Sequence, residues 1–269
     1  MENKVDISLG HVQKTLFLPL WGRAVESRKK NPMLVDKKAL EIMDRVDYDF
    51  SLMTKNLQDI SQIAWIKRSL IGDQVIKDFL SRYPNGVIVN IGCGLDTTFD
   101  RIDNGKVIWY DLDMPDVINL RKNFISENER RIFISSSFLE EGWLDQLEGK
   151  ENILFMSAGV FYYFSESEIK GFILRLIKRF PGCELLFDVC SPIGVKVANK
   201  KVVQNTGLDE KSYLVWGLKD KEELLTWDPH IKILHVYYYF RSLRIGLGNF
   251  LVGLLSDLVG MQYMIHLKL

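Results

Sequence analysis

Two glycines that directly follow an apolar run form the first pattern with chemical meaning. Val87–Ile91 precedes Gly92 and Gly94 in the stretch VIVNIGCGLD. Glycine at such a position permits a tight turn from strand to helix and lets a ligand approach the bare backbone. The alternative is a turn that only reverses the chain, so the residues around the glycines must decide between the two interpretations.

The next residues argue against a dinucleotide and favour a nucleoside. The dinucleotide fingerprint G-x-G-x-x-G needs a third glycine beside the pyrophosphate, and this chain has Thr97 there. The next apolar run ends in Asp111 and Asp113, about 20 residues on, where a carboxylate accepts hydrogen bonds from ribose hydroxyls. We therefore predict S-adenosylmethionine as cofactor, with S-adenosylhomocysteine as product. Asp113 is expected to bind the ribose, with Asp111 as the alternative or as a supporting residue.

The apolar pattern predicts a doubly wound α/β fold. Short continuous apolar runs are typical of strands covered on both faces, and helical spacings lie between them. The runs are 87–91, 107–110, 132–134, 153–156, 185–189, 231–240 and 261–267, and the helix candidates are 59–83, 115–127, 165–180 and 220–226. Residues 1–83 are predicted to be helical without a strand, and Pro84-Asn85-Gly86 ends that region.

The composition excludes several classes of function. Lys+Arg and Asp+Glu are equal at 35 each, which argues against a nucleic-acid-binding protein. The polar N-terminus lacks the apolar core of a signal peptide, and the cysteines form no C-x-x-C pair, so we expect a cytoplasmic protein. Neither the cysteines nor the histidines show the spacing of metal ligands. These residues are Cys93, Cys183 and Cys190, and His11, His230, His235 and His266.

The apolar segment 245–256 is interrupted by three glycines and an asparagine. A membrane-spanning helix needs about 20 consecutive apolar residues, so no span is predicted here. We expect the segment to lie in the buried core, with contact at a membrane surface as the alternative. The composition makes no prediction of the oligomeric state.

The motifs around the glycine turn are more specific than the glycines. VIVNIGCGLDTTFDRI followed by VIWYDLDMPDVINLRK resembles the leucine carboxyl methyltransferase family, and within it the bacterial, polyketide-tailoring O-methyltransferases of the tetracenomycin type. The glycine turn, Asp111-x-Asp113-x-Pro115 and the basic Arg121 carry this resemblance. Blocks 14–27, 135–147, 157–169 and 180–192 extend it over most of the chain.

The resemblance implies a fold and a division of the chain. It implies a doubly wound, seven-stranded class I (Rossmann-like) sheet of S-adenosylmethionine-dependent methyltransferases. Residues 1–83 would form an N-terminal helical cap, and residues 84–269 the cofactor-binding domain, the two forming one structural unit.

The resemblance also implies roles for single residues. Arg68 matches an arginine that binds the methionine carboxylate of the cofactor, and Lys14 matches a lysine with a similar role. Gly92 and Gly94 would approach the cofactor, while Ser137 and Phe138 would lie beside the adenine. For Arg68, a charge at the surface of a largely apolar helix is the alternative interpretation.

The sequence departs from the family at two positions. The block SAGVFYYF has Ala158 where the family commonly carries an acid, so one polar contact is missing or is replaced by Ser157. Ser137 stands where the branch that methylates a protein C-terminus tends to carry an aspartate. Both changes favour a small-molecule acceptor over a protein.

The expected reaction is in-line transfer of a methyl group to an oxygen of a carboxylate or hydroxyl, on a small molecule such as a polyketide-like acid. A carboxylate acceptor is already ionised at neutral pH and needs no catalytic base. No catalytic residue is assigned with certainty, and Tyr163 and His11 are candidates for the substrate pocket. The alternatives are a non-catalytic cofactor-binding protein and a nicotinamide-dependent oxidoreductase.

Overall fold

The computed structural model describes residues 5–6, 16–47, 59–200, 213–241 and 247–269. In this part of the chain, seven strands form one sheet. They are β3 Val87–Ile91, β4 Ile108–Asp113, β5 Arg131–Ser135, β6 Ile153–Ser157, β7 Glu184–Val189, β8 Lys232–Tyr238 and β9 Tyr263–Lys268. Their order across the sheet is β5-β4-β3-β6-β7-β9-β8. β9 runs antiparallel to both of its neighbours, and the other pairings are parallel. The predicted seven-stranded, doubly wound sheet is confirmed.

Helices cover both faces of the sheet. α3 (Asp59–Arg82) packs on one face, where its Ile76 and Phe79 belong to the same core cluster as Ile88 of β3. α6 (Glu166–Arg179) packs on the other face, where Phe172 joins Val89 in a second cluster. Neighbouring residues of a strand point to opposite faces, and both faces are covered by helices, so every residue of β3 is buried. This explains the continuous apolar run in the sequence.

β3 lies at the centre of the sheet, and the chain extends from it in both directions. β4 and β5 lie on one side of β3, whereas β6 and β7 lie on the other. The strand order therefore reverses at β3, and in such sheets ligands bind at this point, beyond the carboxyl ends of the strands. The glycine turn follows β3 at that position.

The N-terminal part contains α1 (Phe17–Ser27) and α2 (Lys37–Arg45). Phe17 and Leu20 of α1 pack with Ile42 of α2 and with Leu95 of the glycine turn. The prediction of no strand before residue 84 was wrong, because β1 (Val5–Asp6) pairs in parallel with β2 (Val46–Asp47). Two-residue strands leave no periodic apolar pattern that sequence analysis could detect. The division of the chain at residue 83 stays a prediction.

Several helices differ in length or type from the predictions. α5 (Pro115–Lys122) begins with a proline, as expected, but ends before residue 127. α6 begins at a capping box in which Ser165 and Glu168 satisfy each other's backbone N–H groups. Residues 221–226 form a 3₁₀ helix. The short helices α4 (Thr98–Ile102) and α7 (Pro192–Ala198) were not predicted.

The apolar segment near the C-terminus is less buried than predicted. It forms α8 (Leu247–Leu258), whose Leu251, Val252 and Leu255 are more than half exposed. Gly253 instead faces the protein, because a Cβ there would approach the Phe240 ring to 2.7 Å. The prediction of buried core was therefore wrong for one face of this helix. Among the described helices, none is long and apolar enough to cross a membrane.

A buried ionic cluster lies at the amino end of β7. Glu184 accepts hydrogen bonds from Arg82 at 2.9 and 3.0 Å and contacts the His266 ring at 2.9 Å. Burial would raise the pKa of Glu184, but the hydrogen bonds from His266 and Arg82 outweigh it and lower the pKa to about 2. A carboxyl whose pKa is lowered by folding stabilises the native state above its ordinary pKa. This contribution is lost as the pH falls from about 4.5 toward 2.

We expect Glu184→Gln to lower the free energy of unfolding by about 1–3 kcal/mol at pH 7, because a buried charged acceptor is lost. Urea unfolding of both proteins at pH 7, 4 and 3 would show the difference shrinking as the pH falls. Glu129→Gln, at an exposed position, is the control and should have little effect at any pH. A difference that stays constant down to pH 3 would contradict the assigned role of Glu184.

Candidate active site

A cavity of about 310 Å³ opens at the carboxyl ends of the central strands. Its wall combines the start of α1, one side of α3, the glycine turn, the end of β4, the segment after β6 and the residue before β9. The polar and aromatic side chains that line it include Trp65, Arg68, Asp96, Asp113, Tyr162, Tyr163, Phe164 and Gln262. The cavity therefore lies at the position where the strand order reverses.

The glycine turn is shaped by two residues with positive φ. Gly92 has φ +64° and Gly94 has φ +47°, and both line the cavity. A Cβ on Gly92 would lie 2.3 Å from the Val160 side chain, so no other residue fits unless Val160 or the turn moves. The N–H groups of Gly92 and Cys93 both donate to the Leu112 carbonyl, which ties the turn to β4.

Asp113 ends β4 and presents its carboxyl group to the cavity. Oδ2 accepts the Gly94 N–H at 2.7 Å, and Oδ1 accepts the Met114 N–H at 2.8 Å. Burial raises the pKa of Asp113 to about 6, although these two hydrogen bonds oppose the shift. Each carboxylate oxygen has a second lone pair, so the group can accept two further hydrogen bonds from a ligand.

Asp111 lies beneath the cavity and does not line it. It is fully buried, and four side chains donate to its two oxygens. Oδ1 accepts from Trp109 Nε1 at 2.8 Å and Asn90 Nδ2 at 3.2 Å. Oδ2 accepts from Arg121 Nη2 at 2.8 Å and Arg131 Nε at 2.9 Å. With its acceptor sites occupied, Asp111 supports the site from below.

Arg121 connects this buried carboxylate to the glycine turn. Its Nη1 donates to the Gly94 carbonyl at 2.7 Å, and its Nη2 donates to the Asp96 carbonyl at 2.9 Å. The guanidinium geometry allows these contacts while Nη2 also pairs with Asp111. The acid and the basic residue of the sequence motif therefore hold the backbone that surrounds the ligand position.

Thr97, which replaces the third glycine, anchors the N-terminal helices. Its hydroxyl donates to Asp36 Oδ2 at 2.5 Å, and the same oxygen accepts from Arg23 Nε and Arg101 Nη1. Arg101 also forms a two-pronged ion pair with Asp73 of α3. The position that a dinucleotide-binding protein keeps bare is thus occupied by a packed, hydrogen-bonded side chain.

Arg68, on α3, also lines the cavity. Its Nη1 donates to Asp188 Oδ2 at 3.1 Å. Burial alone would lower the pKa of Arg68, but the charge of Asp188, followed by Tyr162 and Tyr239, outweighs it and raises the pKa above its ordinary value. Arg68 therefore stays cationic in a nearly enclosed position, where a ligand carboxylate would be its natural partner.

Only some of the remaining predicted site residues lie at the cavity. Tyr163 lines the cavity, whereas Ser137, Phe138 and Ser157 do not. The Phe138 ring packs edge-on against Phe164, with the centroids 4.7 Å apart, and Phe164 does line the cavity. Ser157 is fully buried, and its hydroxyl makes no hydrogen bond within the described residues. Lys14 and His11 lie outside the described residues.

Two polar residues near Arg68 were missed by the sequence analysis. Asp188 lies near the end of β7, and Gln262 directly precedes β9. Asp188 was detectable as a charge in the otherwise apolar run LLFDV. Gln262 carried no such signal, because only the antiparallel pairing of β9 with β7 places it here.

The profile of the leucine carboxyl methyltransferase family matches residues 17–176. The chain belongs to this family. The matched region extends from α1 through most of α6 and includes the glycine turn, the Asp111–Arg121 pair and Asp113. The predicted resemblance is confirmed.

Two curated relatives cover most of the chain. The tetracenomycin polyketide synthesis O-methyltransferase TcmP of Streptomyces glaucescens is 29% identical over 84% of this chain and 82% of its own. The S-adenosyl-L-methionine-dependent methyltransferase dpfgK of Gibberella zeae is 25% identical over 94% of this chain and 91% of its own. The enzyme is an S-adenosylmethionine-dependent methyltransferase.

The fold is shared with more distant proteins. Magnesium protoporphyrin IX methyltransferase from Synechocystis PCC 6803, solved with bound S-adenosylmethionine, superposes with a TM-score of 0.50 at 9% identity. The match covers 88% of this chain and 99% of that structure. At this level of identity the likeness supports the methyltransferase fold and carries no residue roles.

The cavity fits the cofactor. Asp113, at the end of β4, supplies free acceptor sites, and Arg68 supplies a cation beside Asp188 of β7, three strands away in the sheet. The glycine turn follows β3, which lies between these two strands. When bound, S-adenosylmethionine supplies a methyl group on a positively charged sulfur. Such a methyl group is already electrophilic, so the protein has to align the reactants and exclude water.

Proposed function

We propose that this enzyme methylates an oxygen of an aromatic small molecule, and that the acceptor group is a carboxylate. The observation that carries the proposal is one cavity that joins Asp113 and Arg68 to a wall of aromatic side chains. The polar ends suit the two ends of the cofactor, and the aromatic wall suits a flat acceptor.

The proposed cofactor contacts follow from the positions of the polar groups. Asp113 accepts the ribose hydroxyls, Arg68 binds the methionine carboxylate, and the backbone of Gly92 and Gly94 faces the cofactor. Asp111 does not contact the cofactor and acts on the site through Arg121. Ser137 and Phe138 are proposed near the adenine on the strength of the resemblance. Phe138 would support the Phe164 ring, against which it packs.

The side chains of the acceptor wall are aromatic. Trp65, Tyr162, Tyr163 and Phe164 line the cavity, and flat rings stack well against such side chains. The relative in Streptomyces glaucescens is named for polyketide synthesis. A polyketide-like aromatic acid is therefore the proposed class of acceptor.

Among the titratable groups that line the cavity, Asp113 is assigned to the ribose, and the others favour an acceptor that is already ionised. Burial raises the pKa of Tyr162 well above its ordinary value, so its hydroxyl remains protonated. Burial would raise the pKa of Asp96 as well, but Arg23 and Arg101 outweigh it and lower the pKa to about 2. No histidine lines the cavity within the described residues. A carboxylate acceptor needs no proton removed, whereas a hydroxyl acceptor would need a base.

The N-terminal helices are proposed to act as a cap. Leu16, Leu18 and Pro19, at the start of α1, line the cavity. The contacts of Asp36 with Thr97 and Arg101 fix these helices on the glycine turn. Such a cover would exclude water and hold the acceptor in line with the donor.

Calorimetric titration with S-adenosylhomocysteine, and with NAD in parallel, tests the cofactor assignment. We expect micromolar affinity for S-adenosylhomocysteine and no binding of NAD. The reaction would then be tested with S-adenosylmethionine and matched pairs of aromatic acids and phenols. Methyl esters are cleaved by mild base and methyl ethers are not, so base treatment before mass spectrometry identifies the acceptor group. A base-stable product would contradict the carboxylate proposal, and absence of S-adenosylhomocysteine binding would contradict the cofactor site.

A further inference from the structure

Asp188 organises the end of the cavity that contains Arg68. It is fully buried, and its Oδ1 accepts the Gly159 N–H at 2.7 Å. Its Oδ2 accepts from Arg68 Nη1 at 3.1 Å and from Gln262 Nε2 at 3.0 Å. One carboxylate oxygen thus holds two side chains that both line the cavity.

The orientation of the Gln262 amide follows from this contact. A carboxylate only accepts hydrogen bonds, so the side of the amide that faces Asp188 has to be the NH₂ group. The amide oxygen and nitrogen are bonded to the same carbon and diverge from it. The oxygen is therefore directed away from Asp188, and the hydrogen bond to Asp188 does not use it.

The two side chains present complementary groups to a ligand. Arg68 offers a positively charged donor, and Gln262 offers a neutral acceptor with a fixed orientation. Because both bond to the same Asp188 oxygen, their nitrogens lie close together. An α-amino acid carries its carboxylate and its ammonium on one carbon, which is a matching arrangement. Ala158, which lines the same region, has no polar side-chain atom that could serve as the acceptor.

We propose that Gln262 binds the α-ammonium group of the cofactor's methionine part through its amide oxygen, and that Asp188 positions both Gln262 and Arg68. This inference rests on the proposed placement of the methionine carboxylate at Arg68. Gln262 would then bind the amino group, while Arg68 binds the carboxylate. Hydrogen bonds to charged groups contribute about 1.5–3 kcal/mol each, which corresponds to roughly 10- to 100-fold in affinity.

The test compares two ligands that differ only in the amino group, S-adenosylhomocysteine and its deamino analogue S-adenosyl-4-thiobutanoate. Gln262→Met keeps the length of the side chain and removes its polar atoms. We expect it to weaken S-adenosylhomocysteine binding about tenfold by calorimetry and to change the affinity for the deamino analogue less than about twofold. The preference of the wild-type protein for the amino-containing ligand should therefore disappear.

Gln74→Met is the matched control, because Gln74 is exposed on α3 and donates to Asp78 away from the cavity. It should leave both affinities unchanged. Gln262→Leu provides a second variant, and thermal unfolding of each protein verifies folding. If Gln262→Met weakens both ligands equally, Gln262 only supports Arg68 and the proposal is overturned. Unchanged affinity for S-adenosylhomocysteine also overturns it, whereas a wild-type protein that does not bind S-adenosylhomocysteine contradicts the cofactor site itself.

Discussion

Asp113→Ala is expected to weaken binding of S-adenosylhomocysteine by about 100-fold or more. The carboxylate has two acceptor sites left for the ribose hydroxyls, and each charge-assisted hydrogen bond contributes about 1.5–3 kcal/mol. The variant also removes the acceptor for the Gly94 N–H, which lies 2.7 Å from Asp113 Oδ2. Calorimetric titration of the wild-type and variant proteins measures the change.

Asp116→Ala is the matched control for this experiment. Asp116 is exposed in the first turn of α5, three residues after Asp113, so its loss should change the affinity only slightly. Similar affinities for the wild-type protein and Asp113→Ala would contradict the assignment of Asp113 to the ribose.

The pH dependence of S-adenosylhomocysteine binding gives an independent check of the role of Asp113. Burial raises the pKa of Asp113 to about 6, so the carboxyl becomes protonated as the pH falls below 6. A protonated carboxyl is a weaker acceptor, and we expect the affinity for S-adenosylhomocysteine to fall between pH 7 and pH 5. In Asp113→Asn this pH dependence should disappear, because the amide does not titrate.

Asp111→Ala is expected to lower the free energy of unfolding by about 3–5 kcal/mol, since it leaves buried charges without a partner. Arg121 is fully buried, and Arg131 is nearly so. Arg131 retains an ion pair with Asp100, whereas Asp111 is the acid that pairs with Arg121 within the described residues. Urea unfolding at pH 7 measures the loss, and S-adenosylhomocysteine binding should also weaken because Arg121 holds the glycine turn.

The loss of a surface ion pair serves as the control for the loss of the buried Asp111 contacts. Asp103 pairs with Arg130 near the surface, and removing such a pair changes stability by about 0–1 kcal/mol. We expect Asp103→Ala to remain in that range and to leave cofactor binding unchanged. If Asp111→Ala were no more destabilising than Asp103→Ala, the buried cluster would not have the role assigned to it.

The sheet and the type of cofactor could be predicted from the sequence. Strands that are buried on both faces are mostly apolar, so β3, β6 and β7 were visible as nearly continuous apolar runs. Gly92 was recognisable because it directly follows an apolar run, where a glycine permits a tight turn, and its positive φ agrees with that interpretation. Thr97 excluded the dinucleotide pattern, because the third glycine is a local requirement of that turn. These features depend on neighbouring residues along the chain.

Other features depended on contacts between distant parts of the chain. Asp111 and Asp113 are two residues apart and chemically identical, yet Asp113 lines the cavity and Asp111 lies beneath it. The sequence favoured Asp113 for the ribose and kept Asp111 as the alternative, and the structure shows Arg121 and Arg131 holding Asp111 beneath the cavity. The exposed apolar face of α8 was likewise invisible, since an apolar composition does not reveal which side of a helix is covered.

Arg68 was a candidate from the sequence, but the polar groups that surround it became visible only in the folded protein. Arg68, Gly159, Asp188 and Gln262 come from four separate segments, and Arg68 and Asp188 are 120 positions apart in sequence. They meet because α3 packs on the sheet and β9 enters antiparallel beside β7. No local pattern encodes such a meeting, since each side chain taken alone is consistent with an ordinary surface or strand position. The chain folds these separate polar residues around one buried carboxylate.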